Sequence, residues 1–398
     1  MERGAVEGEL FHREALTRLL GEPDLEVPLR NLVRREVLRP ARGTLSGADA
    51  YRFRHLLIRD AAYSAIPKEV RADLHRRFAD WLEHAAGDRI AEHEEILGYH
   101  LEEAVRYHAE LGRRTDEDAV ETAARASRWL GSAGRRAAGR GDMRAATKLL
   151  ERAVRLLAED DGRRSELELV LGWALTQSGE FGAAEAIFDA VVAGSAARGE
   201  RGIQLRGLVG RMEIVNIVRP EGAAVETFRL ADEVVPELEA LGDDRGLAHA
   251  WRVTAYAHNT LCRYGAAVDA LERGLEHAER AGDAAIRSEI LAWLPTRLVR
   301  GPMPAEPALD RCHELLARAA GDRPAEAGSL AGIALLEAIS GRLDEARAAE
   351  SRSRGIKQEL GLRFMLAVGD IWRGELELLG GDLSIAEDAF RAAADFLG

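Results

Sequence analysis

Residues 93–108 gather side chains that could hold zinc: His93, His100 and His108 stand among Glu94, Glu95, Glu102 and Glu103. A metalloprotease helix needs H-E-x-x-H, with two histidines one turn apart and a glutamate base between them. Here position 97 is Leu, and Leu97, Tyr99 and Leu101 flank the histidines as core residues would. Histidines on a partly buried helix are the expectation, with no metal. The lysines Lys68, Lys148 and Lys357 follow Pro, Thr and Ile, so no Gly-Lys-Ser/Thr exists and the phosphate loop of a nucleotide hydrolase is excluded. Cys262 and Cys312 follow no metal or disulfide spacing, which fits a reducing cytoplasm. Ser, His and Asp occur singly, without a nucleophile elbow. These residue types read as binding chemistry, with no catalytic role and no cofactor held by this chain.

The elements that carry them turn on residues 51–83. Tyr51 and Phe53 alternate as a short strand, which gives way at His55 to helical spacing through Leu56, Ile58, Ala61, Ala62 and Ile66. Pro67 breaks that helix, and Val70, Leu74, Phe78 and Leu82 restart it. Upstream, residues 1–20 read as helices, with Leu16, Leu19 and Leu20 on one face and a turn at Gly21, Pro23 and Asp24. A second helix from Leu25 to Glu36 points Val27, Leu29, Leu32 and Val33 at a core. Val37–Arg39 then pairs with Tyr51–Phe53 across the loop at 41–50 as a small β-wing. Helix, helix and wing make a winged helix entered after its beginning.

The run FRHLLIRDAAY at 53–63 is similar to the Met-His-Asp region of STAND-type NTPases, with His55 in the histidine position and Leu56 where the aspartate would stand. LHRRFADWLE at 74–83 resembles the continuation in bacterial regulators that join such an ATPase to tetratricopeptide repeats, in cyclase-linked and LuxR/MalT-like forms. The resemblance implies that an NTPase domain precedes this segment and binds ADP or ATP there. It also implies that His55 contacts the bound ADP and helps hold the protein off.

Beyond residue 118 the chain is periodic. A turn-former followed by a small residue recurs at Ala146, Ala184, Ala224, Ala267, Ala308, Ala346 and Ala386, spaced on average 40 residues apart. Glycine ends one helix and alanine lets the next approach closely, so seven helical hairpins are expected. In the second hairpin Leu171, Gly172, Leu175, Ala184 and Phe188 match the large and small positions of tetratricopeptide repeats, although the period exceeds their usual one. The expected fold is all-α: a truncated winged helix at 1–83, connecting helices at 84–117, and a tetratricopeptide-like superhelix at 118–398. First helices should line the concave face. Extrapolating the repeat frame places Arg135, Trp173, Gln177, Asn216, Arg252, Tyr256 and Asn259 there. Such a groove suits a peptide, a protein partner or a small inducer.

The chain has 398 residues, 46% of them hydrophobic but only 5% aromatic, which suits closely packed helices. Residues 1–84 carry 15 basic and 14 acidic residues, so the net charge of −13 resides in the array, which will not attract nucleic acid. Arg30, Arg34, Arg35, Arg39 and Arg42 could face DNA, but Glu22, Asp24, Glu26 and Glu36 interleave them. Docking on a neighbouring domain is favoured over a DNA-binding regulator with an oligomerising array, or a plain interaction scaffold. No apolar run reaches the ~20 residues of a membrane span. Both ends read as cut, since Phe396 and Leu397 close the array without a polar capping helix.

Overall fold

The computed structural model describes residues 1–21, 24–43 and 49–397; Pro23, Glu22 and the tip of the wing loop at 44–48 lie outside them. Contacts divide the chain into two compact units, 1–133 with 152–159 and 134–151 with 160–398.

The first unit opens with α1 (Glu2–Glu7), β1 (Leu10–His12), α2 (Arg13–Leu20), α3 (Glu26–Arg34), β2 (Leu38–Arg42) and β3 (Asp49–Phe53). Strands β2 and β3 pair as an antiparallel hairpin where one was expected, with Leu38 opposite Phe53 and Arg39 opposite Arg52. Residues 10–12 are a strand rather than helix, and pair antiparallel with the other edge of β3 to give the order β1-β3-β2. Three residues are too few to show a period of two, and what holds them is long-range: the Phe11 ring packs 5.3 Å from that of Phe53. Val27, expected in the core, is 59% exposed, because the short α3 turns Leu29 inward instead.

Next come α4 (Leu56–Ser64), α5 (Lys68–Ala86) and α6 (Glu94–Glu110), with Pro67 capping α5. Helix α5 crosses residue 83 without a break, so the boundary expected there falls inside a helix. His100 on α6 meets His75 on α5, Nδ1 to Nδ1 at 2.8 Å, and Tyr63 Oη lies 2.7 Å from His75 Nε2. Burial pushes His75 down to about 3 and His100 well below the usual histidine range, so the two rings are neutral and share one N–H donor across the gap. Among the described residues no three metal-ligating side chains converge.

Seven hairpins follow. They are α7 (Glu117–Gly139) with α8 (Met143–Arg155), α9 (Gly162–Ser178) with α10 (Phe181–Arg198), and α11 (Arg201–Val218) with α12 (Ala223–Leu241). Then come α13 (Asp244–Thr260) with α14 (Tyr264–Arg280), α15 (Ala284–Arg300) with α16 (Ala305–Arg318), α17 (Arg323–Ile339) with α18 (Leu343–Glu359), and α19 (Arg363–Gly380) with α20 (Leu383–Leu397). The division between units passes through the first hairpin. Every repeat alanine, from Ala146 to Ala386, sits on a second helix and is at most 4% exposed. Opposite these alanines, small residues on the first helices admit aromatic rings. A Cβ on Gly172 would lie 2.6 Å from the Phe188 ring, and one on Gly374 equally close to Phe390.

Within the second unit the array curves until α19 meets α9. Phe181 packs edge-on against Phe364 at 5.7 Å, Arg363 pairs with Glu180 at 3.4 Å, and the Phe396 ring lies against Gly179. Gly179 turns the chain there at φ 78°, a left-handed conformation that side chains disfavour. This return encloses the inner face. No helix among the described residues is long and apolar enough to cross a membrane.

Candidate ligand-binding site

The inner face of the second unit holds a cavity of about 290 Å³, walled mainly by first helices. Helical spacing explains which side chains reach it: Glu166, Val170, Trp173 and Gln177 form one stripe on α9, and on α13 Arg245 and His249 begin a stripe with the same steps, which Arg252 and Tyr256 continue into a smaller pocket. From α15 come Ser288, Glu289 and Ala292, and Leu362 and Met365 close the far side.

Trp173 and His249 stack face to face, with centroids 4.1 Å apart and planes 7° off parallel. Arg252 lies over Trp173, its Cζ 5.2 Å from the ring centroid. Burial, then the charges of Arg252, Arg206 and Arg245, hold His249 far below the usual histidine range, so its ring is neutral. Its Nδ1 is buried without a hydrogen-bond partner among the described residues, which is uncommon and costly unless a ligand or water completes it.

Arginines on the wall are fixed by acids that also cap the next helix. Asp243 accepts from Gly246 N at 2.9 Å at the start of α13, and its Oδ2 lies 3.1 Å from Arg206 Nε. Asp283 does the same for α15, accepting from Ala285 N while Arg245 Nε lies 2.7 Å away. Arg206 also grips Glu166, at 3.0 Å for Nη1. Arg135 has no such acid among the described residues; burial and then the Arg245 charge lower its hold on a proton.

Beneath the cavity floor lies a smaller pocket of about 20 Å³, lined by Arg252, Tyr256, Trp293, Arg297 and Phe364. Gln177 and Glu289 belong to both walls, and Gln177 Nε2 donates to Glu289 Oε1 between them. Arg252 donates to both oxygens of Glu213 and pairs with Glu289 at 2.9 Å. Burial drives Glu289 up to about 7, with Arg252 opposing and Glu213 adding to the shift.

The residues expected on the concave face separate into three groups. Arg135, Trp173 and Gln177 line the cavity, and Arg252 and Tyr256 line the inner pocket with Gln177. Asn216 does not face either: it is 2% exposed, and its amide donates to Met212 O at 2.8 Å and Thr227 Oγ1 at 2.7 Å, tying α11 to α12. Asn259, near the C-terminal end of α13, lines neither pocket. His55 sits in the first unit as the exposed residue before α4, with no side-chain capping bond. Glu166, Arg245 and His249 escaped the sequence reading although they continue the α9 and α13 stripes one or two turns toward the N-terminus.

No family model matches the sequence, and no curated protein matches it. Among solved structures the chain is similar to a Signal Transduction ATPase with Numerous Domains protein with a tetratricopeptide repeat sensor from Pyrococcus horikoshii. That match has 14% identity and a TM-score of 0.39, covering 99% of this chain and 62% of that one. The chain therefore spans less than two thirds of that protein's length. It is also similar to a Rap protein complexed with competence and sporulation factor, at 12% identity and a TM-score of 0.50, over 83% of this chain and 99% of that one. A circular tandem repeat protein aligns over 100% of this chain at a TM-score of 0.19. The fold is an all-α array of helical hairpins, and the likeness to the Rap protein is a likeness of that fold.

Proposed function

We propose that this chain is the non-catalytic sensor and regulatory segment of a STAND-type signalling protein, whose array takes a peptide or small inducer into the cavity walled by Trp173 and His249. One observation carries the reading: a roomy cavity on the inner face presents a stacked aromatic pair and a buried nitrogen left without a partner. A Rap protein of similar fold is known in complex with competence and sporulation factor, which is compatible with an array that accepts a signal. The test incubates the 398-residue protein with pooled peptides and pooled metabolites, followed by ultrafiltration and mass spectrometry. Ala285→Trp, which fills the cavity from its wall, should cut retention of the bound species at least tenfold without lowering the melting midpoint. If the parent and the filled variant retain the same species equally, the cavity is not the binding site.

The first unit supports the other half of the proposal. Its order α1, β1, α2, α3, β2, β3, with a three-stranded sheet, is compatible with a winged helix. Of the five arginines there that could face DNA, Arg30 is paired with Glu26, and Arg52 on β3 is paired with Glu9, which is compatible with docking on a protein domain. Beside exposed His55, Leu56 is 57% and Leu57 81% exposed, an apolar edge suited to such docking. In this reading an upstream domain binds ADP and His55 donates to a phosphate oxygen in the resting state. With an ATPase domain joined ahead of residue 1, His55→Ala should weaken ADP about ten- to a hundredfold, as loss of one charge-assisted hydrogen bond predicts. Unchanged ADP affinity would leave His55 as a residue that only precedes a helix.

A further inference from the structure

Arg297 is a buried cation in the second unit whose surroundings fail to account for it. It is 6% exposed, its guanidinium donates through Nη1 to Thr296 Oγ1 at 2.8 Å, and its Cζ lies 4.5 Å from the Trp293 ring centroid. No carboxylate stands within ion-pairing distance among the described residues. Burial works against its charge, Arg300 repels it, and the nearby hydroxyls of Tyr256 and Tyr264 belong to neutral phenols. Arg252, close by in the same pocket, is already committed to Glu213 and Glu289. A buried guanidinium without an acid is costly to fold around, so its retention beside a cavity points to a ligand that supplies the missing charge.

We infer that the inner pocket is an anion site at which Arg297 takes the carboxylate end of the array's ligand, the ligand being an apolar monocarboxylate whose body fills the larger cavity. This rests on the sensor reading above and names the chemistry of the molecule sensed. Four features of the geometry support it. The pocket, about 20 Å³, has room for one anionic oxygen. Trp293 lines it and carries a buried Nε1–H with no acceptor among the described residues, a further donor at the pocket left unused. The Gln177–Glu289 pair is common to both walls, so a head group that displaces the Gln177 amide passes from the large cavity to Arg297. The walls of that larger cavity carry Leu169, Ala292, Leu362 and Met365, which suit an aliphatic or aromatic body. Glu289 faces Gln177, Arg252 and Glu213, and burial has already pushed it up to about 7, so it can take a proton rather than repel the arriving carboxylate.

A free acid and the C-terminus of a peptide offer the same group, and two pairs of probes separate them. Calorimetric titrations at pH 6.5 use 4-phenylbutyrate against 4-phenylbutyramide, and N-acetyl-Ala-Leu-Phe with a free against an amidated C-terminus. At least one acid should bind ten times more tightly than its amide. Preference within the first pair identifies a small acid, and preference confined to the second identifies a peptide end. Arg297→Gln should bring the acid-to-amide ratio close to one, while Arg297→Lys keeps part of it. Because Arg297→Gln removes an uncompensated buried charge, its melting midpoint should equal or exceed that of the parent, so loss of binding cannot be laid to misfolding. Acid and amide binding alike in the parent, or a ratio that survives Arg297→Gln, overturns the inference while leaving the sensor reading intact. Failure of both acids to bind at millimolar concentration also overturns it, and the pooled-ligand experiment then judges the sensor reading separately.

Discussion

Arg252→Met is expected to cost the second unit roughly 3–5 kcal/mol at pH 8, measured as the shift in urea unfolding free energy. Arg252 is 5% exposed and lies between Glu213, 3% exposed, and Glu289. Although burial works against its charge, the two carboxylates hold the guanidinium protonated. Methionine fills a similar volume, so the loss comes from two carboxyls left facing each other in a dry interior rather than from a cavity. The pH dependence identifies that cause. Burial raises Glu289 from its ordinary 4.5 to about 7 even with Arg252 present. A carboxyl whose folded-state value lies above its unfolded one binds more protons when folded. Its contribution is fully present below the unfolded value and is lost as pH rises through the folded one. Without Arg252 the charge that opposes this shift is gone and Glu289 stands higher still, so the deficit at pH 8 should shrink to less than half at pH 5. A deficit equal at the two pH values would mean that lost packing against Trp173, and not stranded charge, explains the destabilisation. Adding Glu213→Leu and Glu289→Leu to Arg252→Met should restore most of the loss.

The same trio shows what a sequence can and cannot disclose. Hairpin spacing was legible because packing dictates it: each turn needs a residue that stops a helix, and each helix pair needs a small side chain where the backbones meet. All seven alanines obey that rule. The stripes on α9 and α13 were legible in part, since Trp173, Gln177, Arg252 and Tyr256 follow helical spacing. A frame taken from shorter repeats ends early, so Glu166, Arg245 and His249 on the preceding turns were passed over. Asn216 failed in the opposite sense, because a polar residue in the concave frame is buried when a neighbouring hydroxyl, here Thr227, can take its amide. Glu213, Glu289 and Arg297 were not legible at all. A charged residue on a helix reads as solvated until something covers it: Arg252 of α13 closes on Glu213 and Glu289, and Phe364 of α19, brought back by contacts such as Arg363 with Glu180, 183 residues apart, lines the pocket with Arg297. The strand at 10–12 was hidden for the same reason, as its partner lies on β3.

Gly328→Ala should be the most damaging single-methyl change in the array. Gly328 lies on α17, where an added Cβ would fall 2.0 Å from the Ala292 carbonyl oxygen and 2.4 Å from the Ala292 Cα of α15. Both obstacles are backbone, so no rotamer change makes room, and the two helices must separate. One turn on, a Cβ at Gly332 would meet the Pro295 Cβ at 2.8 Å and its carbonyl carbon at 3.1 Å, so the close approach runs along the helix pair. Pro295 suits that contact because it presents no N–H to the facing backbone. Overpacking usually costs 1–3 kcal/mol, and with backbone on both sides the loss should be roughly 3 kcal/mol or more. The control is Gly182→Ala on α10, where a Cβ meets nothing within 4 Å and the helix should gain about 0.5–1 kcal/mol from the better helix former. Thermal unfolding of the two variants beside the parent checks the pair, and equal midpoints for both would overturn the account of the α15–α17 contact. The consequence extends to the cavity, because Ala292 is part of its wall and the same helix carries Glu289 and Arg297. A Gly328→Ala protein that still folds at low temperature should therefore hold a ligand less tightly than the parent, although position 328 lines neither pocket.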